Sequence, residues 1–153
     1  MKKTPGRMWT CRILLVLILM FIWGNSALPA HLSGAVSDWV RDVLCCIFSV
    51  DEGNPDGGTQ LLRKMAHFLE FACLGACLCW LFGMAAVQGK RTWICPMLFG
   101  FGAACIDESI QFFVPGRHAS FLDVGIDSAG VLTGLSLVLL GYYVVYHLKR
   151  QRT

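Results

Sequence analysis

Four stretches of the chain are long and apolar enough to predict membrane-spanning helices. A membrane helix needs roughly 20 mostly apolar residues, and the four stretches cover residues 13–30, 65–87, 92–114 and 124–148. Only residues 88–91 separate the second stretch from the third, so these two helices must form an antiparallel hairpin. The pattern therefore predicts an all-α, polytopic membrane protein with about four transmembrane helices.

The segment between the first and second spans carries a fifth, amphipathic pattern. Apolar residues recur three and four positions apart along residues 36–47, and charged residues occupy the opposite face. This spacing predicts either a helix that lies in the outer membrane interface, apolar face down, or a helix packed against the bundle. Residues 49–58 are rich in Asp, Gly, Asn and Pro, which is typical of a loop.

The first span has two interpretations. Lys2, Lys3 and Arg7 precede a short apolar run, and residues 27–30 (Ala-Leu-Pro-Ala) resemble a signal-peptidase site. An uncleaved anchor is favoured if the helix continues through residues 24–26, because the span then becomes long enough to cross a membrane.

Composition agrees with the membrane interpretation. Hydrophobic residues make up 56% of the 153 residues and charged residues 15%, and the mean hydropathy is +0.58. A soluble domain of this size could not bury so much apolar surface, and disordered chains are poor in apolar residues.

The net charge of +3 is mild and lies mainly at the two ends, which gives nucleic-acid binding no support. Most of the eight cysteines lie in apolar runs without a metal-binding spacing, so we expect them to pack rather than react.

The distribution of lysine and arginine predicts the orientation. Nine of them lie in the N-terminal flank, the 88–91 turn and the C-terminal tail, and four lie in the other loops. The positive-inside rule then places both termini in the cytoplasm. The chain divides into a cytoplasmic flank with the anchor (1–30), an extracytoplasmic loop with the amphipathic helix (31–62), a helical domain (63–148) and a basic cytoplasmic tail (149–153).

Polar residues within or next to the spans are the main clue to function, because ionisable groups at membrane depth are costly and usually functional. Their spacing of three or four places them on single helix faces, all at the predicted outer end. Gly130, Gly134 and Gly141 continue one of these stripes and should let a neighbouring helix approach closely. The polar residues are Lys64, His67, Glu70, Asp107, Glu108, Gln111, Arg117, Asp123 and Asp127. We expect three helices to direct them into one shared, outward-opening polar cup.

Crowded carboxylates beside a histidine suit general acid–base chemistry, because neighbouring charges push their pKa values apart. Arg117 offers a guanidinium fork that suits phosphate, and the preceding Pro-Gly predicts a tight turn. Each residue alone has a structural alternative. His67 could be an interior histidine, Glu70 a helix–helix hydrogen-bond partner and Arg117 a loop ion-pair partner. Lys64 could extend to the interface, and Asp123 and Asp127 could cap the fourth helix. However, polar groups gather at the same end of three helices. This shared position favours a functional site over a set of unrelated structural roles.

Three motifs also carry a family resemblance. Residues 63–75 resemble the K-x-x-H-F-x-E-[YF]-x-x-L-G motif of the VanZ-like family, and residues 107–117 resemble its D-E-x-x-Q-x-x-x-P-G-R motif. Residues 123–130 resemble its D-V-x-x-[ND]-x-x-G motif. The order is that of the family, and the departures are small: Phe71 stands where tyrosine is common and Asp127 where asparagine is frequent.

The resemblance implies a bacterial integral membrane protein of the cell membrane. The family is named for a member that lowers susceptibility to the glycopeptide teicoplanin. Its members are proposed to act on phosphate-bearing lipid head groups or lipid-linked wall precursors. On this resemblance, the polar residues of the cup are the functional set, and membrane lipids or lipid-linked precursors are the partners.

Three functions compete. In an enzyme, His67 would be the base or nucleophile and Glu70 would orient it. Asp107 and Glu108 would supply acid–base chemistry or hold a divalent cation, and Gln111 and Arg117 would hold the phosphate. In a non-catalytic binder, the same residues would shield a lipid-linked precursor. A transporter would need polar groups across the whole membrane, whereas these stop in the outer half. Neither the cofactor nor the oligomeric state follows from the sequence.

Overall fold

A computed structural model describes residues 5–29, 32, 55–84, 91–117 and 120–151. Within these ranges the chain is helical and contains no strand. Four helices, α1 (Pro5–Ser26), α2 (Pro55–Met84), α3 (Arg91–Phe112) and α4 (Phe121–Arg150), follow one another along the chain. Each is long and apolar enough to cross a membrane. The predicted all-α, four-span architecture is confirmed.

Helix boundaries differ from the predicted spans mainly at the N-terminal ends. Helix α1 begins at Pro5 and α2 at Pro55, several residues before the apolar runs that defined the spans. Proline is favoured in the first turn of a helix because its missing N–H has no partner there. Such helices can extend beyond the hydrocarbon region. A search for long apolar stretches does not detect these extensions. The predicted amphipathic helix at 36–47, its two alternatives and the loop at 49–58 lie outside the described residues.

Helix α2 is the centre of the bundle, since it packs against α1, α3 and most extensively α4. One cluster of buried apolar residues draws on all four helices: Ile22, Phe71, Leu74, Leu78, Ala103, Ala104 and Val131. Large apolar residues elsewhere on the helices are exposed, such as Phe21, Leu98 and Leu137. An apolar exterior around a small packed interior suits a bundle surrounded by lipid.

Small residues bring α2 and α4 close together. A Cβ added to Gly134 would overlap the carbonyl oxygen of Ala72, and one added to Gly75 would overlap that of Val131. A Cβ added to Gly130 would likewise overlap the carbonyl oxygen of Phe68. The predicted role of Gly130 and Gly134 is therefore confirmed. It is wrong for Gly141, which lies on the exposed end of α4, where a Cβ would meet no side chain and no other helix of the described residues within 4 Å.

Helix α1 is integrated into this bundle. Ile22 and Ser26 are completely buried, and the Trp23 indole donates a hydrogen bond to the Ala103 carbonyl at 3.4 Å. The helix continues through residues 24–26. This packing favours the uncleaved anchor, which stays a prediction.

A short loop joins α3 to α4. The backbone N–H of Arg117 donates to the Val114 carbonyl at 3.2 Å, and Gly116 adopts a φ of 79° that side-chain-bearing residues rarely adopt. Ser120 is the N-cap of α4, because its hydroxyl accepts the Leu122 N–H. The alternative in which Asp123 or Asp127 caps α4 is therefore wrong. Asp123 lies in the first turn instead, where a negative charge suits the helix dipole.

Candidate functional site

One end of the bundle gathers polar side chains from all four helices. The helices alternate in direction, so α1 and α3 end where α2 and α4 begin. All nine predicted site residues are described, and the structure brings them together at this end. We call the set the polar cluster: Asn25, Ser26, Lys64, His67, Glu70, Asp107, Glu108, Gln111, Arg117, Asp123 and Asp127.

His67 lies at the centre of the polar cluster. Its Nδ1 atom is 3.9 Å from Glu70 Oε2 and 3.9 Å from Asp107 Oδ2. These separations are too long for hydrogen bonds. Within the described part of the chain, neither His67 Nδ1 nor Glu70 Oε2 has a hydrogen-bond partner. The imidazole is therefore placed between two carboxylates without being tied to either, which suits proton transfer.

Asp107 is completely buried. The Gln111 amide donates to its Oδ2 atom at 2.9 Å and to the Ser26 hydroxyl at 3.2 Å. The other carboxylate oxygen, Oδ1, has no partner among the described residues. A buried carboxylate oxygen without a partner is costly, so it marks a position where another group can bind.

Arg117 brings a cation into the same space. Its Nη2 atom donates to the Asn25 carbonyl at 3.2 Å, whereas Nε and Nη1 are buried and unpartnered within the described ranges. Burial lowers the pKa of Arg117 and Arg63 lowers it further, while nearby carboxylates act in the opposite direction. An arginine stays charged despite such a shift. Two of its nitrogens are thus available to an anion.

Two residues of α1 complete the polar cluster, and their role in the site was not predicted from the sequence. The Asn25 amide donates to Glu70 Oε1 at 3.1 Å, and Ser26 accepts from Gln111. A signal was present, because an adjacent Asn-Ser pair ends the first apolar run at the same predicted membrane depth as the other polar groups.

Glu108 and Asp123 have structural partners at the edge of the polar cluster. One Glu108 carboxylate oxygen accepts the backbone N–H of Ser120, which ties α3 to the start of α4. The Lys64 ammonium lies 3.0 Å from Asp123 Oδ1 and joins α2 to α4. Both Lys64 and Asp123 are partly exposed, so the ion pair positions helices in a partly solvated setting.

The Lys64–Asp123 ion pair should add little stability. We expect Lys64→Gln or Asp123→Asn to lower the free energy of unfolding by about 0.2–1 kcal/mol, because partly exposed ion pairs contribute little. The double variant should cost less than the sum of the single variants. Thermal unfolding of the purified protein in detergent, run as a double-mutant cycle, measures this coupling. Strictly additive losses would show that the pair contributes nothing.

Asp127 lies on α4 and approaches His67 of α2 and Asp107 of α3. One ligand atom from each of these three buried side chains lies within 4.8 Å of the others. A small cavity adjoins this point and is lined by Arg63, Lys64, His67, Gln111, Asp123 and Asp127.

An apolar groove runs beside the polar cluster between α3 and α4, with a volume of about 780 Å³. Phe112, Phe113 and Phe121 line it and are strongly exposed. Glu108 and Ser120 belong to the same lining, so the groove reaches the edge of the polar cluster. The site end therefore presents a polar interior and an apolar flank side by side.

Comparison with known protein families gives a match. A family model described as VanZ/LLP1 matches residues 11–145, a range that contains all four helices except the first turns of α1 and the last turn of α4. No curated protein and no solved structure gives a significant match.

Proposed function

The chain belongs to the VanZ/LLP1 family of membrane proteins, and we propose that it acts on the phosphate-bearing head group of a membrane lipid or lipid-linked wall precursor. The head group would enter the polar cluster from the membrane surface. With both termini in the cytoplasm, as the charges predict, this end faces outward. The observation that carries the proposal is the buried Arg117 guanidinium with two unpartnered nitrogens.

A phosphate group fits the charges of the polar cluster. Buried carboxylates would repel an anion, but Arg117 supplies a positive charge and unpartnered N–H donors on Nε and Nη1 that can donate to phosphate oxygens. The Asn25 carbonyl holds the third nitrogen at 3.2 Å, so the fork is oriented before a ligand arrives. Preorganised donors lower the cost of binding.

A lipid, rather than a free phosphate, fits the surroundings. The groove between α3 and α4 opens on helices whose apolar exterior would face hydrocarbon. It meets the polar cluster at Glu108, which accepts the backbone N–H of Ser120. A lipid could therefore place its chain along the exposed phenylalanines of the groove and its head group near Arg117 and His67.

His67 is the best candidate for moving a proton during the reaction. It lies between Glu70 and Asp107 at equal distances of 3.9 Å and is tied to neither. A base in this position could take the proton of water or of a hydroxyl group as its oxygen attacks the phosphorus. The P–O bond to the leaving group would break, and the protonated imidazole would return the proton to the leaving oxygen. Gln111 and Asn25 would orient the two carboxylates on either side. Conversion of a lipid-linked wall precursor is also how the protein would lower susceptibility to teicoplanin.

The proposal is tested by comparing lipid profiles. Wild type, His67→Ala and His147→Ala should be expressed at equal levels in one bacterial host, and lipids and lipid-linked precursors measured by mass spectrometry. His147 is a matched control because it is an exposed histidine at the other end of α4. We expect one phosphate-bearing species to change with wild type and His147→Ala but not with His67→Ala. Profiles identical to the empty host would contradict enzymatic action.

A non-catalytic binder is the alternative, since the same residues could shield a precursor without turnover. His67→Gln separates the two functions, because glutamine keeps a polar side chain but cannot act as a base at neutral pH. Lost turnover with retained binding favours the enzyme. A transport function has less support, because the buried charged side chains of the described residues all lie at one end of the bundle.

A further inference from the structure

We propose that His67, Asp107 and Asp127 together bind one divalent transition-metal ion. Each residue comes from a different helix, α2, α3 and α4 respectively, and all three are buried. One possible donor atom from each lies within 4.8 Å of the other two. A closure of about 1 Å, within reach of side-chain rotation, would bring the three donors to the spacing of a common ion.

Unpartnered donor atoms point to the ligand. His67 is 9% exposed and Asp107 is 0% exposed. Across the part of the chain that the structure describes, neither His67 Nδ1 nor Asp107 Oδ1 has a hydrogen-bond partner. Two neighbouring buried carboxylates repel each other when both are charged, and a bound cation would relieve that repulsion. A bound ion would supply that charge and would occupy the unpartnered atoms.

The surrounding hydrogen bonds have the form expected around a metal ligand. Gln111 holds Asp107 through Oδ2 at 2.9 Å and leaves Oδ1 free. Ser26 in turn accepts from the same Gln111 amide. Such outer contacts orient a ligating carboxylate and raise metal affinity.

The donor set differs from the pair that the sequence suggested, Asp107 with Glu108. Adjacent residues on a helix point in different directions, and Glu108 turns away to accept the Ser120 N–H. Asp127 takes its place from the neighbouring helix. One imidazole and two carboxylates favour ions such as Zn²⁺ or Mn²⁺ over Mg²⁺. Three protein ligands leave a coordination position open, as in metal sites that bind a substrate or water. With the ion bound, His67 would be a ligand rather than the base, and the ion would take over the activation of water.

Metal binding can be measured without any lipid, so its outcome is independent of the proposed function. The full chain, purified in detergent with a tag that contains no histidine and stripped with a chelator, is titrated with Zn²⁺ or Mn²⁺. Elemental analysis gives the stoichiometry and calorimetry the affinity. We expect one ion per chain in wild type. Asp107→Asn and Asp127→Asn should each weaken binding at least about tenfold, since even outer contacts matter that much.

Asp123→Asn is the matched control, because it removes a carboxylate at the same end of the bundle but outside the three ligands. Its loss of metal affinity should be clearly smaller than that of Asp107→Asn or Asp127→Asn, because it removes a nearby negative charge but no ligand. Stoichiometry near zero in wild type would overturn the proposal. So would an equal loss in Asp123→Asn, which would indicate a diffuse electrostatic effect.

Two further measurements test the proposal even if one of the variants folds poorly. A bound ion should raise the thermal midpoint of wild type and Asp123→Asn but not that of Asp107→Asn. Pulsed electron paramagnetic resonance of the Mn²⁺ complex should show coupling to an imidazole nitrogen in wild type. The coupling should disappear in His67→Gln and persist in His147→Gln. A Mn²⁺ complex of wild type without nitrogen coupling would exclude His67 as a ligand and overturn the proposal.

Discussion

Replacement of Arg117 by lysine should weaken the binding of a lipid phosphate by roughly 10- to 100-fold, although the positive charge is kept. The guanidinium uses Nη2 for the Asn25 carbonyl and leaves Nε and Nη1 for the ligand. A lysine ammonium is a single nitrogen and cannot take both positions. The variant therefore loses at least one charge-assisted hydrogen bond. Calorimetry of the purified protein with dodecyl phosphate measures the change.

Two comparisons make the Arg117 prediction specific. Dodecanol has the same chain without the phosphate, so its weaker binding should be the same in wild type and Arg117→Lys. Arg12→Lys is the control variant, because Arg12 is exposed and stacks on Trp9 in α1, far from the polar cluster. It should bind dodecyl phosphate like wild type. Equal affinities of wild type and Arg117→Lys for dodecyl phosphate would show that the guanidinium fork does not hold the phosphate.

The gathering of polar residues could be predicted from the sequence because helix geometry determines it. Residues three or four apart share a face, so Lys64, His67 and Glu70 had to point in one direction along α2. Short connections between α2, α3 and α4 make neighbouring helices antiparallel. These two constraints suffice to place the polar ends of the three helices together.

The pairing within the polar cluster could not be predicted, because it depends on the rotation of each helix about its axis. The interdigitation of small residues between α2 and α4 sets that rotation, and only part of it is visible in the sequence. Gly141 continues the stripe of Gly130 and Gly134 in the sequence, yet none of the described helices packs closely against it. The contribution of Asn25 could not be predicted for a related reason. The segment between α1 and α2 is long, so the sequence does not determine where α1 packs against the other helices.

We expect Gly134→Val to lower the free energy of unfolding more than Lys64→Gln or Asp123→Asn does. Its Cβ would overlap the carbonyl oxygen of Ala72, which is part of the α2 backbone and cannot rotate away. The two helices would have to separate, and overpacking of this kind costs about 3 kcal/mol. At that cost, the thermal midpoint in detergent should fall by roughly 10 °C. Dodecyl phosphate binding should weaken as well, because the polar cluster spans the contact between α2 and α4.

Gly141→Val provides the control within the same helix. Gly141 is exposed, and a Cβ placed there would meet no other helix and no side chain within 4 Å in the part of the chain that the structure describes. The same substitution should therefore change the free energy of unfolding by less than about 0.5 kcal/mol. A similar loss in both variants would mean that valine harms α4 itself rather than its contact with α2. A loss of both stability and dodecyl phosphate binding that is confined to Gly134→Val would indicate that the close approach of α2 and α4 also positions the polar cluster. The small residues of the bundle would then be part of the reason that the polar cluster exists.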